Sequence, residues 1–185
     1  MDGVRHLTTK ELEQGLDDVR NSPEDDGVLK MIVRRPDVEQ REVLAEGELH
    51  PLEGLVGDNW KSRGSSRTLD GSADPYTQLT VMNARCAALV AQDDGRWQFA
   101  GDQLYVDLDL SEDNLPAGTR LSLGTAVIRV SEQPHTGCRK FVSRFGVDAM
   151  KFVNSRKGKR LRLRGLNARV VQPGTVRVGD VVRKV

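Results

Sequence analysis

The stretch QLYVDLDLSEDNLPAGTRLSLGTAVIRVSE, residues 103–132, contains three short apolar runs. These runs, QLYVDLDL, TRLSLG and AVIRVSE, are separated by Gly, Pro and Asn. Short runs bounded by such turn residues are typical of β-strands, and many short strands in succession predict a barrel or a sandwich.

Further strands are predicted on both sides of this stretch. VLKMIVRRP and REVLAEGEL form two runs joined by a turn near Pro36 and Asp37, and QLTVMN forms another. The tail RLRLRGLNARVVQPGTVRVGDVVRKV predicts three closing strands, with turns at Pro173-Gly174 and Gly179-Asp180. The fold class is therefore mainly β.

A few helices are also predicted. Residues 8–20 carry a capping-box spacing and apolar residues at helical intervals. Residues 84–91 form a short apolar helix. A helix entered after Pro134 should end at Gly146, with a second helical piece around 147–154. Residues 54–75 are predicted to form a long polar loop.

The length of 185 residues indicates one domain, with residues 1–22 as an N-terminal helical extension. No run approaches the roughly 18 apolar residues of a membrane span, and the first ten residues lack the apolar core of a signal peptide. The two cysteines lie 52 positions apart without a CxxC pattern, which favours neither a zinc site nor a disulfide framework. We expect a cytoplasmic protein without membrane partners.

The charges are distributed unevenly. Residues 1–133 contain 14 Lys or Arg and 25 Asp or Glu, whereas residues 134–185 contain 14 and 2. The basic part could attract an anionic ligand, a nucleic acid or an acidic membrane, or could simply be a solvated face. Within it, the run 156–164 alternates cationic and apolar residues in its second half, which predicts a strand that either binds phosphate or forms a charged hairpin edge.

Cys138 lies in the segment Pro134-His135-Thr136-Gly137-Cys138-Arg139-Lys140. Neighbouring cations and a helix N-terminus favour the thiolate, the form of cysteine that attacks sulfur or ligates metal. The alternative for a lone cysteine is a small buried hydrophobe, which is our interpretation of Cys86 among its alanines. His135 could act as a base, although without a third partner a loop histidine of no catalytic role is the simpler interpretation.

The segment 57–64 combines glycines, an amide, two cations and a tryptophan, a mixture suited to a planar heterocycle that carries phosphate. The patterns GxGxxG, GxxxxGK[ST], HExxH and GxSxG are absent from the sequence. Dinucleotide, P-loop, zincin and hydrolase interpretations are therefore not supported.

In this order, the motifs resemble the MOSC family, named for the C-terminal region of molybdenum cofactor sulfurases. The family's early Gly-Asp loop is similar to residues 57–63, and its Gly-Glu-Asn-Leu motif resembles Gly101-Asp102-Gln103-Leu104. Its cysteine segment matches 134–140, with Cys138 at the signature position, and its closing Gly-x-Val-x-x-Gly-Asp pattern is similar to 174–180. The resemblance covers roughly residues 40–185, and Asp102-Gln103 departs from the commoner Glu-Asn.

The resemblance implies a mixed β-barrel with a few peripheral helices, in which Cys138 carries a persulfide sulfur or ligates the molybdenum of the pterin cofactor. A thiolate is chemically suited to both roles. The cofactor-binding residues that it implies are Asp58, Asn59, Lys61, Arg63, Gln103, Arg139 and Lys140.

The resemblance also limits the chemistry expected. Full sulfurases contain a pyridoxal-phosphate domain that 185 residues cannot house, so we expect no pyridoxal phosphate here. Some relatives reduce N-hydroxylated compounds, and such a reaction would require an external electron-transfer protein, because the chain has no ferredoxin-like cysteine cluster.

The competing interpretation is a non-catalytic basic barrel that binds nucleic acid through residues 156–164. Scarce aromatic residues disfavour it, with only Phe152 near that run.

Overall fold

The computed structural model describes residues 5–185, which form eleven short strands and six α-helices. Two 3-10 helices cover Pro75–Thr77 and Asp94–Ala100. The α-helices are α1 (Thr9–Gln14), α2 (Leu16–Arg20), α3 (Trp60–Arg63), α4 (Ala84–Ala91), α5 (Arg139–Asn154) and α6 (Arg156–Arg160). The strands are β1 (Gly27–Arg34), β2 (Glu42–Leu44), β3 (Glu46–His50), β4 (Gly54–Leu55), β5 (Leu79–Asn83), β6 (Leu104–Asp107), β7 (Arg120–Leu123), β8 (Ala126–Pro134), β9 (Leu166–Gln172), β10 (Gly174–Arg177) and β11 (Val181–Lys184).

Seven strands close into a barrel in the order β11-β7-β8-β9-β5-β6-β1, and pairing of β1 with β11 completes the ring. The barrel is mixed because β5 and β6 run parallel while the other neighbours are antiparallel. β2 extends the sheet beyond β1, and β10, β3 and β4 form a separate small sheet. The predicted mixed β-barrel with a few helices is confirmed.

The apolar residues divide into two cores. Alternate side chains of the strands fill the barrel, as Leu29, Leu104 and Ile128 illustrate. A second core lies between the barrel and the helices, and Phe141 and Phe145 of α5 are buried in it. This packing of its aromatic residues anchors α5 to the barrel.

Cys86 belongs to this second core, as the sequence predicted. It is fully buried on α4, and its thiol donates a hydrogen bond to the carbonyl oxygen of Leu163 at 3.1 Å. Burial raises the pKa of Cys86 to about 12. The thiol is therefore neutral and inaccessible in the folded protein.

The predicted N-terminal helix is present as two short helices, α1 and α2. Thr8 and Glu11 form the predicted capping box. The backbone N–H of Thr9 donates to the carboxylate of Asp148 on α5 at 3.0 Å, which ties the segment to the helical layer. The first four residues of the predicted extension lie outside the described part of the chain. None of the helices in residues 5–185 has the length and apolar character needed to cross a membrane.

The prediction of a strand over residues 156–164 was wrong. Ser155 caps a short helix, α6, by accepting a hydrogen bond from the N–H of Gly158. A turn follows in which Arg162 (φ +47°) and Gly165 (φ +102°) have left-handed backbone conformations. Local capping and turn geometry thus override the alternating pattern, and the side chains do not share one charged face.

Two other predicted segments have different bounds. The helix expected after Pro134 begins only at Arg139, and Gly146 interrupts it as predicted, with φ +89° inside α5. The segment 54–75, predicted as a loop, contains β4 and α3.

Gly165 provides a test of this local structure. A Cβ at Gly165 would lie 2.3 Å from the carbonyl oxygen of Val81, whereas a Cβ at Gly179, which has a matching φ of +98°, would meet nothing within 4 Å. Both Gly→Ala variants incur the left-handed backbone cost of about 1–2 kcal/mol. We expect urea unfolding to show an additional loss of about 2 kcal/mol or more for Gly165→Ala, because the clash involves backbone. Equal losses in the two variants would contradict the described turn.

Candidate functional site

Cys138 lies at the rim of a cleft and is exposed. It occupies the N-cap position of α5, but its side chain makes no capping hydrogen bond, so the thiol is free to face other groups. The preceding residue is fixed by Asn154, whose side chain accepts from the N–H of Gly137 at 2.8 Å and donates to its carbonyl at 3.1 Å. A Cβ on Gly137 would lie 3.2 Å from Cγ2 of Val153, so a larger residue here would be tightly packed against α5.

The cleft has two lobes that meet at Cys138. One lobe has a volume of about 180 Å³ and the other about 340 Å³. Arg35, Arg63 and Gly101 line both lobes together with Cys138. We call the whole feature the thiol cleft, and its two parts the cationic lobe and the polar lobe.

The cationic lobe brings together six positively charged side chains from distant parts of the sequence. They are Arg35, Arg41, Arg63, Lys140, Arg144 and Arg164. Glu39 bridges two of them, with ion pairs to Lys140 at 2.6 Å and Arg144 at 2.7 Å. Burial, together with the nearby charges of Arg144 and Arg35, lowers the pKa of Arg41. Such crowding of like charges is typical of a site that receives an anion.

Arg35 is held in place by a buried carboxylate. Its guanidinium makes two hydrogen bonds with the carboxylate of Asp58, at 2.8 and 2.9 Å, and donates a third to the carbonyl of Gly101 at 2.8 Å. The same carboxylate accepts from the backbone N–H of Arg35 and from that of Trp60. Gln103 lies beside Asp58 and accepts from the N–H and the hydroxyl of Thr80.

A second buried ion pair supports the other side of the cleft. Arg164 contacts Asp102 at 2.5 Å and donates to the carbonyl of Ala100 at 2.8 Å, while its guanidinium lies over the ring of Phe141. The other oxygen of Asp102 lies 3.4 Å from Nδ1 of His135, which lines the polar lobe. His135 and Asp102 therefore form a carboxylate–imidazole pair close to the thiol.

Electrostatics keep His135 neutral. Burial and the positive charges of Arg164, Arg35 and Arg67 hold the pKa of His135 well below its usual value. Burial raises the pKa of Asp102, while the attraction of Arg164 and Arg35 opposes that rise. A neutral imidazole has one donor and one acceptor nitrogen. Nδ1 lies 3.4 Å from Oδ1 of Asp102 without forming a hydrogen bond, so this contact does not select between the two tautomers.

Several buried polar atoms around the cleft have no hydrogen-bond partner among residues 5–185. Four of them are Nε of Arg41, Nε of Arg164, Oδ1 of Asn59 and Nε1 of Trp60, and the other two are Nδ1 of His135 and Oδ1 of Asp102. Buried polar groups are normally paired, so six such atoms around one cleft indicate a polar ligand. The first four provide three donors and one acceptor, which together with the six cations fit an anionic heterocycle such as a pterin phosphate.

The residues predicted for the cofactor are divided by the structure into three groups. Asn59, Arg63 and Lys140 line the thiol cleft with Cys138. The side chains of Asp58 and Gln103 are buried beneath it, where they position Arg35 instead of reaching the cleft surface. Lys61 and Arg139 are exposed and line neither lobe.

Sequence reasoning missed Arg35, Arg41, Arg144 and Arg164, and it assigned no role to Asp102. The sequence pattern predicts Arg35 as the end of a strand and Arg164 as part of a solvated or phosphate-binding strand, whereas in the structure β1 ends at Arg34. The available signal was the charge imbalance, because Arg144 and Arg164 lie in the basic C-terminal part. Nothing local in the sequence marks Arg35 or Arg41.

The fold and the site define a closed β-barrel with an accessible cysteine in a cationic cleft. The family model of the MOSC domain matches residues 77–183, more than half of the chain, so the chain belongs to the MOSC domain family. The predicted family is confirmed. The match begins at residue 77 and does not include the Gly-Asp loop at 57–63.

Solved structures show the same fold. Bacillus subtilis YuaD is 15% identical with a TM-score of 0.62, and the alignment covers 84% of this chain and 94% of YuaD. Escherichia coli YiiM is 20% identical with a TM-score of 0.55, covering 85% of this chain and 69% of YiiM. Geobacillus stearothermophilus YiiM is 16% identical with a TM-score of 0.52, covering 86% and 73%. No curated protein matches the sequence significantly.

The contrast between the two cysteines gives a direct test of the site. With limiting iodoacetamide on the folded protein, we expect alkylation at Cys138 alone, because Cys138 is exposed and Cys86 is buried with a pKa of about 12. Peptide mass spectrometry locates the modification. After unfolding in guanidinium chloride both thiols should react. Equal modification of the two cysteines in the folded protein would contradict the described positions.

Proposed function

We propose that the thiol cleft binds the molybdenum cofactor, with Cys138 as the protein's thiolate ligand to the metal. The observation that carries this proposal is the position of Cys138, an exposed thiol at the junction of a six-cation lobe and a polar lobe. Thiolate is a soft ligand, whereas Arg and Lys bind phosphate oxygens. Among residues 5–185 no cluster of three or more His, Cys, Asp or Glu is placed to hold a metal ion.

The two lobes would bind different parts of such a ligand. The cationic lobe, with Arg41 and Lys140 at its wall, is suited to the phosphate. Arg35 and Arg164 are already neutralised by buried carboxylates, so they supply directed N–H donors more than net charge. Asn59 and Trp60 offer unpaired polar atoms to the heterocycle. Charge thus selects for the phosphate, and unpaired hydrogen-bonding atoms orient the ring.

The proposed reaction is the reduction of an N-hydroxylated compound. When bound, the molybdenum cofactor supplies two-electron redox chemistry. Conversion of an N–OH group to N–H consumes two electrons and two protons and releases water. Within the chain, His135 lines the polar lobe as a neutral imidazole, so its N–H can donate a hydrogen bond to the substrate. The electrons would come from a separate electron-transfer protein.

The exposure of Cys138 favours a second candidate, in which the cysteine carries sulfur as a persulfide. Its thiolate would attack the terminal sulfur of a donor persulfide, forming a new S–S bond as the donor leaves as a thiolate. The cleft would then serve for transfer to an acceptor. Incubation with a persulfide donor should add the mass of one sulfur atom to Cys138, removable by reductant.

The alternative of nucleic-acid binding through residues 156–164 has little support. The cationic side chains of this run point to different places. Arg164 is buried at the cleft, Arg162 donates to backbone carbonyls of Leu110 and Leu115, and Arg160 pairs with Asp113. A continuous phosphate-binding face is therefore not formed by this run.

The Cys138→Ser variant tests the main proposal. After expression in a host that makes the cofactor, we expect wild-type protein to contain molybdenum and pterin, and Cys138→Ser to lose most of both. Elemental analysis and fluorescence of the oxidised pterin provide the measurements. Cys86→Ser is the matched control and should load normally, because a serine hydroxyl can still donate to the carbonyl of Leu163. Full loading of Cys138→Ser, with folding confirmed by circular dichroism, would contradict the proposal.

A further inference from the structure

Three arginines form a row across the outer surface of the barrel. Arg120 of β7 is paired in register with Arg129 of β8, and Arg129 is paired in register with Arg169 of β9. Their neighbours along each strand are buried, so the arginines are on the outward face. The Cβ atoms of residues directly opposite on adjacent strands lie about 5 Å apart, so the three arginines are close neighbours of like charge.

The row is not neutralised within the described chain. Across residues 5–185, none of the three arginines has a carboxylate within ion-pair distance. Many other arginines of the molecule do pair with a carboxylate, or donate to a backbone carbonyl. Like charges directly opposite on adjacent strands destabilise a sheet. An uncompensated cationic row of this kind is a feature of anion-binding surfaces.

A groove lies beside this row. It has a volume of about 390 Å³, and its lining includes Arg129, Arg169 and Tyr76, with one acidic side chain, Glu132. Two arginines and one carboxylate leave the lining with a net positive charge. The guanidinium of Arg169 lies 5.4 Å from the centre of the Tyr76 ring, and Tyr76 is 48% exposed. One face of this ring is therefore covered by a cation, and much of the ring remains accessible. We call this feature the arginine groove.

An unpaired buried hydroxyl also lines the arginine groove. Ser131 is 7% exposed, and its Oγ has no hydrogen-bond partner in the described residues. Gly118 also lines the groove, and a Cβ there would be in ordinary van der Waals contact with Nη2 of Arg129, at 3.4 Å.

The arginine groove is distinct from the thiol cleft. The 3-10 helix Pro75–Thr77 separates them, because Tyr76 lines the groove while Thr77 lines the polar lobe. Strand β9 also contributes to both sites, because Arg169 lines the arginine groove and Asn167 lines the polar lobe. The two sites share a wall but no lining residue.

We propose that the arginine groove binds a mononucleotide, an aromatic base that carries phosphate. The accessible ring of Tyr76 provides a stacking platform for the base, and Arg129 and Arg169 provide charge-assisted donors for the phosphate. Ser131 supplies a further hydrogen-bonding group at the groove wall. A volume of about 390 Å³ lies within the usual range of small-molecule sites. A single aromatic ring stacks one base, which favours one nucleotide over a strand.

The test is calorimetric titration of the full-length protein with AMP, GMP, CMP and UMP, each used separately. We expect at least one to bind with a micromolar Kd. Arg129→Gln and Arg169→Gln should each weaken this binding about tenfold or more, since each loses a charge-assisted hydrogen bond. Tyr76→Ala should weaken it and Tyr76→Phe should retain it, because stacking needs the ring and not the hydroxyl. Arg20→Gln, on the distant helix α2, is the matched control and should bind as wild type.

Several outcomes would overturn the proposal. One is the failure of all four mononucleotides to bind below millimolar concentration while circular dichroism shows folded protein. Another is equal affinity for inorganic phosphate and for the nucleotide, which would indicate a simple anion site. Binding of a single-stranded oligonucleotide without binding of any mononucleotide would indicate a nucleic-acid surface instead. Unchanged affinity in both arginine variants would place the ligand elsewhere.

Discussion

The buried ion pair between Arg35 and Asp58 is the interaction on which the cleft depends. The side chain of Arg35 is 8% exposed and that of Asp58 is fully buried, so both charges have lost most of their hydration. That cost is offset only by complete pairing, which the bidentate contact, the two backbone N–H groups and the Gly101 carbonyl provide. The pair fixes the end of β1, the 57–63 segment and the Gly101 turn relative to one another. Loss of either side chain would leave a buried charge without a partner beneath the thiol.

The cleft concentrates positive charge that the fold only partly neutralises. Asp58 and Asp102 compensate two arginines from below, and Glu39 bridges Lys140 and Arg144 from above. Among residues 5–185 no carboxylate lies within ion-pair distance of Arg41, and burial together with the charges of Arg144 and Arg35 lowers its pKa. Because bringing like charges together costs stability, an anion bound here would stabilise the folded protein. The same argument applies to the arginine row on the opposite side of the 3-10 helix.

The sequence predicted what depends on local patterns. Alternating apolar residues and turn residues located the strands, and the segment around Gly137 and Cys138 placed the cysteine at the start of a helix. The helix over 156–160 was missed because the alternation at 160–164 was extended backward over the run, whereas Ser155 caps a helix that ends where the alternation begins. Arg35, Arg41 and Asp102 could not be assigned, because their roles arise from pairing between segments that are far apart in sequence. The sequence predicted Asp58 and Gln103 as cofactor-binding residues. Both side chains are buried beneath the surface of the cleft, where they support Arg35.

The central claim is that Cys138 is the protein's ligand to molybdenum. Its most direct test is X-ray absorption spectroscopy at the molybdenum edge, using cofactor-loaded protein with selenocysteine introduced at position 138 and Cys86 left unchanged. The account predicts a selenium neighbour bonded directly to molybdenum. Molybdenum bound at full occupancy without any selenium neighbour would contradict it.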